Sequence, residues 1–215
     1  DYIRSIEKIY IVACGSSYHV GMVSKYNLER MLRIPVEVAL ASEFRYMEPI
    51  VHKDTLVIAI SQSGETLDTM MALREAKRLG AKVLGVVNVV GSSIARESDE
   101  VLYTWAGPEI AVATTKAYST QLAVLDLLAL YFGRRLGTVA DKEYWAVISE
   151  MLMLPAKMEE VLAHKEDIQY FASQYFNRDS VFFIGRNVDY ALGLEGSLKL
   201  KEISYIHSEA YASGE

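Results

Sequence analysis

Four short stretches place hydroxyls, carboxylates and an amine where a small anion could be bound and a proton moved. The densest is Ser61-Gln62-Ser63-Gly64-Glu65-Thr66, which follows the apolar run Leu56-Val57-Ile58-Ala59-Ile60 and opens a helical pattern. A helix N-terminus presents free N–H groups and a partial positive charge, which suits a phosphate. Gly64 lets the backbone come close, and Ser61, Ser63 and Thr66 add hydroxyls, so a dianion can be held without Lys or Arg. A plain helix cap, with Ser63 capping and Thr66 or Glu65 supporting the first turn, explains any one of these residues. Three hydroxyls and a glutamine in six residues exceed what a cap requires.

Cys14-Gly15-Ser16-Ser17 sits between another apolar run and another helical pattern. Ser16 and Ser17 could bind sugar hydroxyls, or form only a turn and an N-cap. The stretch lacks the G-x-G-x-x-G fingerprint, so a dinucleotide cofactor finds no support. Cys14, next to a helix start, reads as a small buried thiol. A third stretch, Val112-Ala113-Thr114-Thr115-Lys116, offers a threonine cap with a hydroxyl to spare.

The fourth is Glu195, Lys199 and Glu202, whose spacings of four and three place them on one face of a helix. Apolar residues, among them Leu192 and Ile203, share that helix. Charge in such surroundings is costly unless paired or used. A carboxylate there can serve as a proton-transfer base tuned by Lys199, or the three can be a salt-bridged surface stripe. His207 has no partner identifiable from sequence and reads as structural.

These residues need a scaffold. Candidate strands are Lys8–Ala13, Val36–Leu40, Thr55–Ile60, Lys82–Val87 and Val101–Thr104, with helical patterns between them and a long helix from about Thr114 to Phe132. Continuous apolar runs are what strands buried on both faces of a parallel sheet look like. The fold class is therefore α/β, a doubly wound parallel five-stranded sheet, in which ligands bind beyond the carboxyl ends of the strands. Residues 141–176 are helical in pattern, with Pro155 as an expected kink or break. Ser180–Gly185 then reads as a strand, and Tyr190 to Ile206 as a helix. That repeats the strand, glycine, helix order of the N-terminus, as one βα unit of a second copy. The expected organisation is a first domain over residues 1–136, a helical connector over 137–177, and the beginning of a second domain over 178–215.

Composition closes several alternatives. Apolar residues make up 51% of the 215, enough for a buried core. The net charge of −6, with no Lys/Arg run, gives no nucleic-acid footprint. Leu122–Phe132 is interrupted by Asp126 and is far short of the ~17–25 residues that span a bilayer. Cys14 is the single cysteine, so no disulfide forms within the chain, which fits a reducing cytoplasm. His19, His52, His164 and His207 lack metal-ligand spacing, and no metal or other cofactor is expected. No signal peptide is visible, and a chain that begins at Asp1 rather than Met is expected to be a piece of a longer protein.

Together the motifs resemble the isomerase portion of the glucosamine-6-phosphate synthase family, also called glutamine–fructose-6-phosphate aminotransferases, which is built from two sugar isomerase (SIS) domains. The resemblance rests on Cys14-Gly15-Ser16-Ser17-Tyr18, Ala41-Ser42-Glu43-Phe44-Arg45-Tyr46, Ser61-Gln62-Ser63-Gly64-Glu65-Thr66 and Gly91-Ser92-Ser93. It continues through Arg96-Glu97-Ser98-Asp99 and Thr115-Lys116-Ala117 to the run from Leu194 to His207. The serine-rich loop marks SIS domains in general; Lys201-Glu202-Ile203-Ser204-Tyr205 is more specific to the synthases.

The resemblance implies roles. Ser61, Gln62, Ser63 and Thr66 match the phosphate-binding loop. Ser17, Val112 and Thr114 match positions that contact the sugar chain, with Ser16 beside them. Glu202 matches the base that moves a proton from C1 to C2 of the fructosimine, and Lys199 the lysine that assists it. The implied reaction converts fructose 6-phosphate and ammonia to glucosamine 6-phosphate, an amino-sugar precursor on the way to UDP-N-acetylglucosamine. The implied partners are a glutaminase domain on the same full-length chain and a second copy in a homodimer. Ser16 and Thr114 stand where the family often has threonine and serine; both keep a hydroxyl. The family's ring-opening histidine and Schiff-base lysine fall beyond Glu215, so these 215 residues are expected to bind a phosphosugar without completing the reaction. The alternatives are a non-catalytic SIS module that senses a phosphosugar, another SIS isomerase or deglycase, and a structural domain whose serines only cap helices.

Overall fold

Along β1 (Lys8–Ala13), Ile9, Ile11 and Ala13 join one core cluster while Tyr10 and Val12 join another, and all five are buried. Side chains alternate across a strand, so β1 has a core on each side. The neighbouring β3 (Thr55–Ser61) does the same and is buried along its whole length. The computed structural model describes residues 2–214, so the outermost residues of the first and last expected domains, Asp1 and Glu215, lie outside the described residues.

The remaining elements of the first unit are α1 (Tyr2–Ser5), α2 (Gly15–Leu32), β2 (Val36–Leu40), α3 (Ala41–Phe44), α4 (Leu67–Arg78), β4 (Lys82–Val87), α5 (Ser93–Glu97), β5 (Glu100–Tyr103) and α6 (Lys116–Leu136). The five strands form one parallel sheet in the order β2-β1-β3-β4-β5. Helices α2 and α6 cover one face, contributing Leu28, Met31, Leu125 and Leu130. Helices α3, α4 and α5 cover the other, through Phe44, Ala72, Leu73 and Ile94. The chain leaves β1 toward β2 on one side and β3 toward β4 on the other. The crevice between the ends of β1 and β3 is therefore the point where an open α/β sheet binds its ligand.

Helices α2 and α6 also share a polar contact, in which Asn27 donates to Asp126 Oδ1 at 2.8 Å. Burial pushes the Asp126 carboxyl above the usual range, against the lowering pull of Asn27 and Arg30. A raised folded pKa on an acid means that the unfolded chain gives up the proton more readily. Stability is fully present below the ordinary Asp value and is lost as pH rises through the folded one. Asp126→Asn keeps an acceptor for Asn27 and removes that loss. Its urea midpoint is expected to exceed the parent's at about pH 7 and to match it at about pH 3, and an equal gain at both would show that ionisation is not the cause.

Beyond Gly137 come α7 (Asp141–Ala163), α8 (Lys165–Tyr175), β6 (Ser180–Gly185), α9 (Val188–Ser204) and β7 (His207–Ala212). Pro155 does not end α7, and the break between α7 and α8 comes at His164. Pro155 lies on an exposed stretch, where water can take up the carbonyl its missing N–H leaves free. The second unit is more than one βα pair, because β7 lies parallel to β6 in the register Ser180↔His207 to Gly185↔Ala212. This β6–α9–β7 crossover repeats β1–α2–β2, and α9 packs against α2. Its seam is polar, with Ser197 Oγ donating to the Ser208 carbonyl and Ser208 Oγ to the Ser197 carbonyl, both at 2.9 Å.

Candidate functional site

At the carboxyl ends of β1 and β3 a cavity of about 280 Å³ opens. One wall is the β1–α2 turn with Cys14, Ser16 and Ser17, and the facing wall is the β3–α4 loop with Ser61, Gln62, Ser63 and Thr66. Thr114 and, from the second unit, Glu202 complete the lining. Cys14 aside, the structure thus brings together eight of the ten expected site residues, separated by up to 186 positions in the sequence. Val112 is not among them: it is 98% exposed on the loop between β5 and α6. Lys199 lies behind Glu202 rather than on the cavity wall. Cys14, expected as a buried thiol, is half-buried and faces the cavity, because it is the N-cap of α2 at the crevice.

The β3–α4 loop is shaped by its own hydroxyls. Gly64 N–H donates to Ser61 Oγ at 3.0 Å, Ser61 Oγ and Thr66 Oγ1 are 2.9 Å apart, and Glu65 N–H donates to Ser63 Oγ at 3.2 Å. Gly64 has φ +67°, and a Cβ built there would lie 2.0 Å from Ser92 Oγ. Only glycine combines that left-handed backbone with that close approach. The Glu65 carboxylate reaches across to the Ser93 amide at 2.8 Å, tying this loop to the start of α5. Hydrogen bonds from the Ser93 side chain and amide hold the Glu65 carboxyl below the usual range.

The hydroxyls brace the loop itself rather than capping the helices. Thr66 is the N-cap of α4, yet its side chain makes no capping bond, and the same is true of Cys14 on α2 and Thr115 on α6. The first-turn amides of α2 and α4 are thus left uncapped by side chains at the cavity. No Lys or Arg lines it, so an anion there would meet helix ends and hydroxyls alone.

The charged side of the site is built on α9. Lys199 Nζ forms an ion pair with Glu202 Oε2 and lies 3.5 Å from Glu195 Oε1. Glu195 is 6% exposed, and its other oxygen, Oε2, is 2.7 Å from His19 Nδ1 on α2. At 3.5 Å the Lys199 contact is electrostatic rather than an aligned hydrogen bond, which is why Glu195 Oε1 has no hydrogen-bond partner. Tyr118 of α6 is pushed up to about 12 by burial and by the Glu195 charge.

Two contributors were not singled out from sequence. Gln121 is 1% exposed on α6 and accepts from Ser17 Oγ at 3.0 Å, which fixes that serine at the cavity mouth. The sequence carried a signal, because Gln121 falls on the same stripe as the buried Ala117, Leu125 and Leu128. His19, half-buried beside Glu195, carried none. Among the described residues no cluster of three or more His, Cys, Asp or Glu could hold a metal ion. No helix of the described residues is long and apolar enough to cross a membrane.

A parallel α/β sheet with a serine-rich loop at its switch point defines the class, and the SIS domain profile matches residues 2–131. The chain belongs to the SIS domain family. More particularly, it is 58% identical over 215 residues to the glutamine–fructose-6-phosphate aminotransferase (isomerizing) of Clostridium acetobutylicum, covering 100% of this chain and 35% of that protein. The chain spans about a third of the length of the curated relatives it matches. The solved C-terminal domain of the glucosamine-fructose-6-phosphate aminotransferase of Francisella tularensis superposes with a TM-score of 0.97 at 39% identity, over 100% of this chain and 61% of that one. The structure of a Thermotoga maritima glucosamine-6-phosphate deaminase follows at a TM-score of 0.74 and 25% identity, over 98% of this chain and 62% of that one.

Proposed function

We propose that this chain is the phosphosugar-binding part of an isomerase that makes glucosamine 6-phosphate from fructose 6-phosphate and ammonia. The observation that carries the reading is the meeting, in one cavity, of the Ser61–Thr66 anion loop with Glu202 from the second unit. Ser61, Gln62, Ser63 and Thr66 hold the phosphate, and Ser16, Ser17 and Thr114 contact the sugar chain, while Val112, exposed on its loop, lies off the cavity. Glu202 takes the C1 proton of the C2 imine while the imine nitrogen takes one up, which gives the C1–C2 enaminol. It then returns its proton to C2 while the C1 hydroxyl gives up its own, leaving an amine at C2 and the aldehyde at C1 with no net gain or loss of protons. Lys199 assists as the ion-pair partner of Glu202. No electron leaves the substrate in this proton shift, so it needs no redox cofactor.

The proposal places residues 1–136 in a first SIS domain, 137–177 in a connector and 178–215 at the beginning of a second. Ring opening, Schiff-base formation and the glutaminase activity belong to other parts of a full-length enzyme. The product is an amino-sugar precursor for UDP-N-acetylglucosamine, and the setting is the cytoplasm, consistent with Cys14 being the single cysteine. A homodimer belongs to the same proposal. It is supported by apolar side chains exposed along α7 and α8, among them Leu152, Leu162, Ile168 and Phe171. A second reading, favoured by the deaminase likeness, runs the chemistry toward ammonia release from an amino-sugar phosphate.

Calorimetric titration of this chain with fructose 6-phosphate tests the binding half. Binding is expected in the parent and is expected to be lost in the Ser63→Ala/Thr66→Ala double variant. A folded parent that shows no heat, or a double variant that binds as well as the parent, removes the phosphate from this loop.

A further inference from the structure

We propose that His19 is a positioning residue: from the first unit it fixes Glu195, and through Glu195 it holds Lys199 and hence Glu202 in place. The inference deepens the proposed function and rests on its assignment of Glu202. His19 lies on α2 and Glu195 on α9, and the 2.7 Å contact between them joins the two units. An ionised carboxylate only accepts, so Nδ1 of His19 is the donor. The imidazole is held in turn by an edge-on contact with Tyr18, with ring centroids 5.7 Å apart.

Glu195 is too buried to be a solvated surface charge, and it does not line the cavity. A buried carboxylate needs partners, and the groups that face it are His19 and Lys199, with the Tyr118 phenol in its field. Lys199 therefore has a carboxylate on either side, Glu195 fixed by His19 and Glu202 at the cavity. Removing the His19 hydrogen bond frees Glu195 to rotate toward Lys199 and compete with Glu202 for the ammonium. The substrate loop is not part of this chain of contacts. The consequence falls on turnover and not on phosphosugar binding.

The test uses the full-length enzyme and reads kcat and KM for fructose 6-phosphate separately. His19→Leu fills the space without a donor, and His19→Asn places an amide N–H near Nδ1. Misplacing a reacting group by about 1 Å can cost up to about a hundredfold, so His19→Leu is expected to lower kcat by about ten- to a hundredfold with KM unchanged. His19→Asn is expected to restore most of it, and Glu195→Gln combined with His19→Leu to lose no more than either alone. Unchanged kcat in folded His19→Leu, or equal loss in the Leu and Asn variants, overturns the proposal. Should His19→Leu not fold, His19→Ala with and without added imidazole takes its place: recovery of kcat supports the role and no recovery overturns it. Glu202→Gln run in parallel separates the failures, because retained turnover there removes the base assignment itself, whatever His19 does.

Discussion

In the full-length enzyme, Glu202→Gln is expected to lower kcat by about 10²–10⁴-fold while fructose 6-phosphate still binds. The amide has the shape of the carboxylate but cannot accept a proton from C1. The proposed phosphate contacts come from the β3–α4 loop of the first unit, and Glu202 reaches the same cavity from the second unit on α9. Substitution therefore separates the two halves of the site along the boundary between the units. Lys199 retains Glu195 as a partner at 3.5 Å, so the helix is not left with an isolated buried ammonium. Steady-state kinetics and a binding titration on the same preparation decide the matter. Loss of both together would mean that Glu202 holds the substrate rather than moving its proton, and loss of neither would mean that the base lies elsewhere.

Gly64→Ala is expected to abolish detectable phosphosugar binding. Two penalties coincide at this position. A non-glycine residue at φ +67° is held in a sparsely populated region, at a cost of about 1–3 kcal/mol. The added methyl would also lie 2.0 Å from Ser92 Oγ, which can turn about χ1, and 2.5 Å from Ser92 Cβ, which cannot move without its backbone. Ser92 is buried and precedes α5, so it cannot move aside without disturbing Ile94, whose N–H donates to the Gly64 carbonyl at 2.9 Å. The loop itself must shift, and with it the hydroxyls of Ser61, Ser63 and Thr66. Titration with fructose 6-phosphate checks the result, with circular dichroism to show that the sheet persists. Binding at parental strength would mean that the loop geometry is not what recognises the phosphate.

The sheet was legible because its strands are buried on both faces. The apolar run at β3 admits few other readings, and Lys8–Ala13, Val36–Leu40 and Lys82–Val87 begin and end in the structure where the sequence places them. The cavity was legible in part, because the loops that follow β1 and β3 must meet at the switch point. What was not legible depends on contacts between distant segments. His207-Ser208-Glu209-Ala210-Tyr211-Ala212 carries little strand propensity, and only pairing with β6 makes it β7. The place of His19 beside Glu195 follows from the packing of α2 on α9, which no local pattern encodes. Pro155 was expected to interrupt its helix, but the exposed face of α7 tolerates the missing hydrogen bond.

The connector of α7 and α8 has no fully buried residue, and only the first half of α7, through Tyr144, Val147, Ile148 and Met151, leans on the core of the first unit. It nonetheless keeps α9 from diffusing away from α2. A covalent tether turns an encounter between two segments into an intramolecular event, at an effective concentration that reaches the order of millimolar for short linkers. A seam with a millimolar intrinsic dissociation constant would then be closed much of the time, although the same two segments supplied separately at micromolar concentration would scarcely meet. A cut near His164 would therefore leave both loops of the first unit in place and separate Glu202 from them without touching any residue that lines the cavity.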